Sequence, residues 1–224
     1  MKNDVWESKY FDAYDKILLN SDIYLVVRDF HVNSMRNCHI VLDSGCGTGN
    51  VTLELLKKGH IVYAVDNSKK ALDILRKKCA KHSKQLHIHN IDAKKLPFDD
   101  EVFDGVTSMF VVYYMDDPKA YLREHYRVLK YDGVLALTGR VSSENMEKVL
   151  KSYEGSLRKR NLLSKLQSEF SIFSEKFLSG VKKAVISGYT FEQMRDMLEN
   201  IGFTNIEEYP NPYFGQCYSL IAYK

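Results

Sequence analysis

The chain of 224 residues contains few cysteines, and their spacing excludes several classes of protein. The four cysteines stand at positions 38, 46, 79 and 217, and no two of them form a C-x-x-C pair. This spacing is not that of a zinc finger, and it favours free thiols in a reducing compartment. His87 and His89 alternate on one predicted strand without a third ligand, so we expect no bound metal.

The sequence also has no large excess of positive or negative charge, and it has no long apolar run. The 32 lysines and arginines exceed the 29 aspartates and glutamates by too little to predict a nucleic-acid partner. No run approaches the roughly 20 apolar residues that a membrane helix needs, and the polar, aromatic start has no apolar core of a secretory signal. We therefore expect a cytoplasmic protein without membrane association, present as a monomer or homodimer.

Short hydrophobic runs alternate with segments of helical length along most of the chain. The segments between the runs are rich in Lys, Leu and Glu, and strands that alternate with helices form a parallel sheet covered on both faces. The pattern predicts an α/β fold with a doubly wound sheet. The runs are HIVLD (39–43), IVYAVD (61–66), LHIHNID (86–92), FDGVTSM (103–109) and GVLALTG (133–139).

The alternation is interrupted twice. Residues 3–31 have apolar positions at helical spacing, and residues 141–188 are mostly helix-forming, with nine basic residues against five acidic ones. After the second interruption a helix and two strands complete the chain. We therefore predict a core of residues 1–140 and 189–224, which includes N-terminal helices, and a helical insertion of residues 141–188.

The stretch VLDSGCGTGN (41–50) indicates a binding loop. It follows a predicted buried strand, opens a helix and contains three glycines, which permit positive φ and let backbone N–H groups touch a ligand. A dinucleotide or S-adenosylmethionine fits such a loop. The dinucleotide fingerprint needs a third glycine where Asn50 stands, and Asp43 would repel a pyrophosphate but suits an ammonium group. The spacing therefore favours S-adenosylmethionine.

Two further carboxylates stand at strand ends. Asp66 ends the second predicted strand, where a carboxylate can accept hydrogen bonds from both hydroxyls of a ribose. Asp92 ends the third strand and is well placed beside an adenine, although an ordinary helix cap or turn residue would explain it equally.

Four blocks of the sequence, in their order and spacing, resemble the class I S-adenosylmethionine-dependent methyltransferases, in particular the small-molecule branch. The blocks are VLDSGCGTGN, VYAVDNS, NIDAKKLPFDDEVFDGVTSMFVVYYMDDP and YLREHYRVLKYDGVLAL, and TFEQMRDMLENIGFTNIEEY resembles the helix and strand that close that fold. The resemblance covers residues 39–140 and 190–224. It implies a seven-stranded, mostly parallel sheet in the order 3-2-1-4-5-7-6 with the last strand antiparallel.

The resemblance also implies a cofactor site for S-adenosylmethionine, with S-adenosylhomocysteine as its product. The glycine loop and the acid before it would hold the methionine part, the end of the second strand the ribose, and the end of the third strand the adenine. YFDAYDKI resembles an N-terminal helix that closes over the cofactor. The residues implied are Tyr14, Asp43, Gly45, Cys46, Gly47, Asp66, Asn67, Asp92, Ala93, Met109 and Phe110.

The sequence does not identify catalytic residues, because methyl transfer from a sulfonium relies on alignment and desolvation and needs a general base only for some acceptors. Aromatic side chains and one arginine are the candidates for an acceptor site, with the helical insertion as its lid. Arg140 could pair with an anionic group of the substrate or with an acid of the protein. The candidates are Tyr10, Tyr113, Tyr114, Arg140 and Tyr189.

Three functions remain open at this point. The first is methyl transfer to a nitrogen or oxygen of a small-molecule acceptor, a metabolite or natural product. The second is an RNA or protein methyltransferase that uses the basic insertion as its platform, and the third is a non-catalytic partner subunit of the same fold. PNPYFG (210–215) resembles a loop of nucleic-acid amino methyltransferases, but it precedes the last strand, so we predict a hairpin turn.

Overall fold

Seven strands form one sheet in the computed structural model, which describes residues 8–141, 146–184 and 188–224. They are β1 (Ile40–Ser44), β2 (Ile61–Asp66), β3 (Leu86–Asn90), β4 (Phe103–Met109), β5 (Leu129–Arg140), β6 (Thr204–Tyr209) and β7 (Cys217–Tyr223). Their order across the sheet is β3-β2-β1-β4-β5-β7-β6. β7 is antiparallel to β5 and β6, and all other pairs are parallel. The predicted order and the antiparallel last strand are confirmed.

Helices connect the parallel strands and cover the sheet. Three of them join β1 to β2, β2 to β3 and β4 to β5, as crossover helices of a wound sheet do. The helices of the described residues are α1 (Ser8–Leu18), α2 (Asp22–Ser34), α3 (Asn50–Lys57), α4 (Lys69–Lys78), α5 (Pro118–Val128), α6 (Glu147–Lys159), α7 (Gln167–Ala184) and α8 (Phe191–Glu199).

The central strands are buried along most of their length because both of their faces are covered. In β1 every residue after the first is buried, and in β5 every residue from Gly133 to Arg140 is buried. Such strands lack the alternation of a half-exposed sheet. The two edge strands, β3 and β6, have several exposed positions. Polar side chains at the buried ends of the central strands are therefore candidates for a binding site.

The N-terminal segment contains two helices where the sequence predicted one helical stretch. α1 ends at Leu18, and α2 begins after Ser21, whose side-chain oxygen accepts a hydrogen bond from the N–H of Tyr24 at 3.5 Å. A serine in this position satisfies one of the N–H groups that the first turn of a helix leaves unpaired. Residues 1–7 lie outside the described residues.

Helices α6 and α7 lie in the range predicted as an insertion, and they pack on the N-terminal helices. One buried cluster joins α1, α2, α6 and α7 and includes Ile17, Tyr153 and Phe173. Met109 and Phe110, at the end of β4, pack against the same cluster. This helical layer therefore adjoins the carboxyl end of β4. The division into a core and an insertion stays a prediction, and residues 142–145 and 185–187 lie outside the described residues.

Candidate functional site

The glycine loop between β1 and α3 has a backbone that side chains would not allow. Gly45, Gly47 and Gly49 have φ angles of +73°, +53° and +81°, which L-residues seldom adopt. A side chain at Gly45 would collide with Val111, and one at Gly49 would begin 2.6 Å from Cγ of Leu75. Around Gly47, in contrast, no described atom beyond its chain neighbours lies within 4 Å of the place a Cβ would take. The loop therefore packs against other side chains at Gly45 and Gly49, whereas its backbone at Gly47 is accessible to a ligand.

The carboxylate of Asp66 is attached to this loop from the end of β2. Its Oδ2 accepts a hydrogen bond from the N–H of Gly47 at 2.9 Å, and its Oδ1 accepts one from the N–H of Ser68 at 2.8 Å. Burial raises the pKa of Asp66, and the two backbone donors oppose that shift. Because each carboxylate oxygen can accept more than one hydrogen bond, Asp66 has capacity left for the hydroxyl groups of a ligand.

Asp43 lies in the interior below the loop. Its side chain is 3% exposed, and Oγ1 of Thr52 donates a hydrogen bond to its Oδ2 at 2.5 Å. Burial is the main reason that the pKa of Asp43 is raised to about 7, with a further rise from Asp66 and a lowering by the Thr52 hydrogen bond. A nearby cation would stabilise the charged form of such an acid.

A cavity of about 50 Å³ lies between the glycine loop, the N-terminal helices and the end of β4. Six of the predicted cofactor residues line it, namely Tyr14, Asp43, Gly45, Cys46, Met109 and Phe110. A larger cavity of about 590 Å³ lies beside α2, at the end of the sheet where β4 and β5 begin. None of the predicted site residues lines it. We assign the candidate site to the smaller cavity because Gly45 and Cys46 of the glycine loop and the buried acid Asp43 line it together, whereas Gly47 and Asp66 lie outside its lining.

The residue predicted beside the ribose, Asn67, follows β2, and the residues predicted near the adenine, Asp92 and Ala93, follow β3. Asn67 and Asp92 are exposed, and Ala93 is buried. Oδ1 of Asp92 accepts a hydrogen bond from the N–H of Lys94 at 3.0 Å, and Nζ of Lys94 lies 3.4 Å from its other oxygen. A hydrogen bond to the backbone two residues on is typical of a turn. The turn role of Asp92 is therefore observed, whereas its contact with an adenine stays a prediction.

None of the five acceptor-site candidates lines this cavity, but the ring of Tyr10 lies 5.8 Å from that of Tyr14, which does, and the other four candidates are linked to one another. The rings of Tyr113 and Tyr114 lie 4.4 Å apart, and the guanidinium carbon of Arg140 lies 5.5 Å from the centre of the Tyr113 ring. The N–H of Tyr189 donates to the carbonyl of Arg140 at 2.9 Å. Tyr10 belongs to α1 and is buried, and its pKa is raised by burial and, to a smaller extent, by Tyr114.

Arg140 has no acidic partner in the part of the chain that the structure describes. Its side chain, at the last position of β5, is 6% exposed, and its Nε forms no hydrogen bond with a described residue. The sequence left open whether Arg140 pairs with an acid of the protein or with a substrate. No ion pair between Arg140 and an acid of the protein is found among the described residues.

Asp15 is a residue of the site that the sequence did not indicate. One of its oxygens accepts hydrogen bonds from Oγ1 of Thr48 at 2.6 Å and from Nδ2 of Asn50 at 3.0 Å, and the other accepts one from Nζ of Lys78 at 2.7 Å. Nζ of Lys78 also donates to Oδ1 of Asn50 at 2.6 Å. Asp15 therefore fastens α1 to the glycine loop. No local pattern could have revealed it, because its partners come from two other segments, the glycine-loop stretch and the end of α4.

Tyr213 is a second residue that the sequence missed. It belongs to the PNPYFG segment, which connects β6 to the antiparallel strand β7, so the predicted turn is confirmed. Yet its side chain is buried, accepts a hydrogen bond from the hydroxyl of Tyr153 at 3.0 Å and lies 5.3 Å, ring to ring, from Phe110. The turn thus supports the wall of the candidate site.

Two features are absent from the described residues, a cluster of metal ligands and a membrane-spanning helix. No group of three histidine, cysteine, aspartate or glutamate side chains in these ranges is arranged to hold a metal ion. Within the same ranges, no helix combines the length and apolar character that crossing a bilayer requires.

Comparison with known proteins gives three informative matches. A family model described as a methyltransferase domain matches residues 42–137. The demethylmenaquinone methyltransferase of Lactobacillus johnsonii is 31% identical over 172 residues, which are 74% of this chain and 68% of that protein. A SAM dependent methyltransferase from Aquifex aeolicus has a similar structure, with a TM-score of 0.63 and 18% identity over 97% of this chain and 98% of that one.

A second solved structure contains ligands. It is the 1,6-didemethyltoxoflavin-N1-methyltransferase of Burkholderia thailandensis with bound 1,6-didemethyltoxoflavin and S-adenosylhomocysteine. Its TM-score is 0.60 at 16% identity, over 91% of this chain and 81% of that one. At this identity the likeness concerns the fold.

Proposed function

The chain belongs to the class I S-adenosylmethionine-dependent methyltransferases, and we propose that it methylates a nitrogen or an oxygen of a small-molecule acceptor. S-adenosylmethionine, the methyl donor of this family, supplies a methyl group on a positively charged sulfur that is ready for in-line displacement. The observation that carries the proposal is the group formed by Tyr113, Tyr114 and Arg140, together with Tyr10 beside Tyr14 of the cavity wall. Two of the matched proteins are named for small-molecule acceptors, demethylmenaquinone and 1,6-didemethyltoxoflavin.

The residues of the cavity suit the donor. The open space above Gly47 can receive a ligand against bare backbone, and the buried Asp43 favours a cation such as the methionine ammonium. We assign the ribose hydroxyls to Asp66, with Asn67 beside it, because the Asp66 carboxylate has acceptor capacity left. The adenine is assigned to the segment that contains Asp92 and Ala93. The remaining cofactor residues of the proposal are Tyr14, Gly45, Cys46, Met109 and Phe110.

The tyrosines of the site act as neutral groups in this proposal. Burial raises the pKa of Tyr10, Tyr14 and Tyr113, so their hydroxyls stay protonated near neutral pH. Such hydroxyls orient an acceptor by hydrogen bonds but do not remove its proton, because a protonated phenol is not a general base. The chain therefore contributes alignment and exclusion of water, and this suits an acceptor that arrives with a free lone pair.

The charges of the predicted insertion favour a small acceptor over RNA. In α6, Arg158 is paired with Glu154 at 2.6 Å, and both Lys159 and Arg160 are paired with Asp22 of α2. Three of the nine basic residues of the insertion are thus paired with acids of the same protein, which reduces the unpaired basic surface that nucleic-acid binding needs.

Two measurements test the proposal. Titration calorimetry with S-adenosylmethionine and S-adenosylhomocysteine should show binding, and incubation with a panel of amines and phenols should release S-adenosylhomocysteine. Failure of both cofactors to bind would overturn the cofactor site. Methylation of RNA or protein in place of every small molecule, with RNA affinity that falls steeply as salt rises, would favour the alternative acceptor.

A further inference from the structure

The guanidinium of Arg140 is the feature of the acceptor region that cofactor binding does not explain. It carries a permanent charge and five N–H donors, yet it is 6% exposed and its Nε has no described partner. A buried charge without a partner is strongly destabilising. An anion that arrives with a ligand would remove this penalty, and the guanidinium therefore points to a negatively charged group on the acceptor.

The groups that face Arg140 are polar and uncharged. The ring of Tyr113 lies against the guanidinium at 5.5 Å, a distance at which the ring face attracts a cation. Burial raises the pKa of Tyr113 and of Cys217, and the positive charge of Arg140 opposes both shifts. Among the described residues, Arg140 thus lies beside groups that stay neutral, and the ring of Tyr113 is a weak partner for its charge.

Arg140 lies at a useful distance from the cofactor side of the cavity. Met109, at the end of β4, pairs with Thr138 of β5, and the N–H of Phe110 donates to the carbonyl of Thr138 at 2.9 Å. Arg140 is two residues further along β5, which corresponds to about 7 Å of extended strand. A molecule of the size of a substituted benzene ring spans such a distance between its anionic group and its reacting atom.

We propose that Arg140 binds a carboxylate of the acceptor, and that the acceptor is therefore a small carboxylic acid whose methylated atom lies toward Met109 and Phe110. The inference rests on the proposed function and names its substrate class. A carboxylate matches the guanidinium in two ways, because its two oxygens fit the planar fork and its single charge balances that of one arginine.

Other charged acceptors fit this arrangement less well. A phosphate dianion would leave an unbalanced negative charge among neutral tyrosines, and a quaternary ammonium would be repelled by Arg140. The tyrosines next to Arg140 therefore do not form a cage for a cationic headgroup, and any amine of the acceptor lies at the end remote from the arginine.

The first experiment uses the wild-type protein saturated with S-adenosylhomocysteine. Benzoate, phenylacetate and 4-hydroxyphenylacetate are each titrated in parallel with the corresponding amide, and phenyl phosphate is titrated as the dianionic probe. We expect at least one carboxylate to bind about tenfold or more tightly than its amide, because the charge-assisted hydrogen bonds are lost in the amide. Equal binding of acids and amides, or tighter binding of phenyl phosphate, would overturn the inference.

Variants locate the preference on Arg140. Arg140→Met should remove the advantage of acid over amide, and Arg140→Lys should retain part of it. Arg158→Met, on an exposed and ion-paired arginine of α6, is the matched control and should behave like the wild type. A preference that survives in Arg140→Met would contradict the assignment.

The two proposals can fail separately. Affinity for S-adenosylhomocysteine is measured first, and its absence would count against the proposed function. Binding of S-adenosylhomocysteine without any preference for acids would refute only the carboxylate. If Arg140→Met does not fold, the comparison of acid and amide on the wild-type protein still decides the question.

Discussion

Asp43 is both buried and adjacent to the proposed binding site of a cation, and its proton affinity reflects this position. Its pKa is raised to about 7, chiefly by burial, so the protonated acid predominates in the folded protein below neutral pH. The unfolded chain loses this proton near the ordinary value of about 4. Asp43 therefore favours folding at low pH and loses this contribution as pH rises through 7, while a bound ammonium would favour the charged form.

The affinity for the cofactor should consequently depend on pH through Asp43. If only the charged form of Asp43 pairs with the methionine ammonium, affinity for S-adenosylhomocysteine should increase about tenfold from pH 6 to pH 8. Asp43→Asn should lack this increase. Titration calorimetry at several pH values measures it, and the ratio of wild-type to variant affinity cancels the titration of the ligand itself. A ratio that stays constant would show that Asp43 does not contact the ammonium.

Replacing Asp66 should weaken the binding of the cofactor strongly. Asp66→Ala removes the acceptor of the Gly47 N–H and the proposed acceptor of the ribose hydroxyls. Hydrogen bonds to charged groups contribute about 1.5–3 kcal/mol each, so we expect affinity for S-adenosylmethionine to fall by one to two orders of magnitude. Asp73→Ala, on an exposed acid of α4 paired with Arg76, serves as the control. Unchanged affinity in Asp66→Ala would refute the ribose assignment.

Helix α1 forms one wall of the site, and Asp15 is the side chain that joins it to the glycine loop. α1 supplies Tyr10 and Tyr14, and Asp15 holds it through Thr48, Asn50 and Lys78. The ion pair of Asp15 with Lys78 is only about one-sixth exposed on each side. Because these bonds join α1 to the loop that receives the cofactor, the position of the helix and the affinity for the cofactor should be coupled.

Loss of Asp15 should release α1 before it unfolds the core. In Asp15→Ala, hydrogen exchange should accelerate in the amides of α1 while those of β1 and β4 keep their protection. We expect affinity for S-adenosylmethionine to fall several-fold, because the buried donors of Thr48 and Asn50 are left unpaired. Asp12→Ala, which changes an exposed acid of the same helix, is the control. Equal exchange in both variants would show that the Asp15 contacts do not hold α1.

The sequence predicted the strands and the acids at their ends, but it did not predict the side-chain contacts that form the walls of the site. The strands themselves followed from contiguous hydrophobic runs, and their order was implied by the resemblance of four blocks. The positions of Asp43 and Asp66 followed from the ends of those runs. The wall contacts join distant positions, such as Asp15 with Lys78 and Tyr153 with Tyr213, which are 63 and 60 residues apart. Tertiary packing creates such pairs, and neither periodicity nor local spacing indicates them.

A buried polar network crosses the centre of the molecule and links the helices to the sheet. Nδ1 of His31, in α2, lies 2.6 Å from Oγ1 of Thr107 in β4, and its Nε2 lies 2.8 Å from Oγ1 of Thr138 in β5. The same Thr138 oxygen lies 2.9 Å from Oγ of Ser219 in β7. The His31 side chain is fully buried, and burial lowers its pKa to about 3. The folded molecule therefore requires the neutral imidazole.

This requirement should make the stability of the whole molecule sensitive to acid. Between the lowered pKa of His31 and the ordinary value of about 6.5, the unfolded state binds a proton that the folded state does not bind. The contribution of His31 is therefore complete above pH 6.5 and is lost progressively as pH falls. His125, with a pKa also lowered to about 3 by burial, adds in the same direction, whereas Asp43 acts in the opposite direction.

Replacing His31 should make the free energy of unfolding less dependent on pH, because one group that takes up a proton only in the unfolded state is removed. We expect the free energy of unfolding of His31→Gln to fall less steeply between pH 6 and pH 5 than that of the wild type, by about 1 kcal/mol per pH unit. Urea unfolding at several pH values measures the slope, which is independent of the stability that the variant loses at neutral pH. His39→Gln, on an exposed histidine, should keep the wild-type slope. Identical slopes for His31→Gln and the wild type would mean that His31 is not held neutral in the fold.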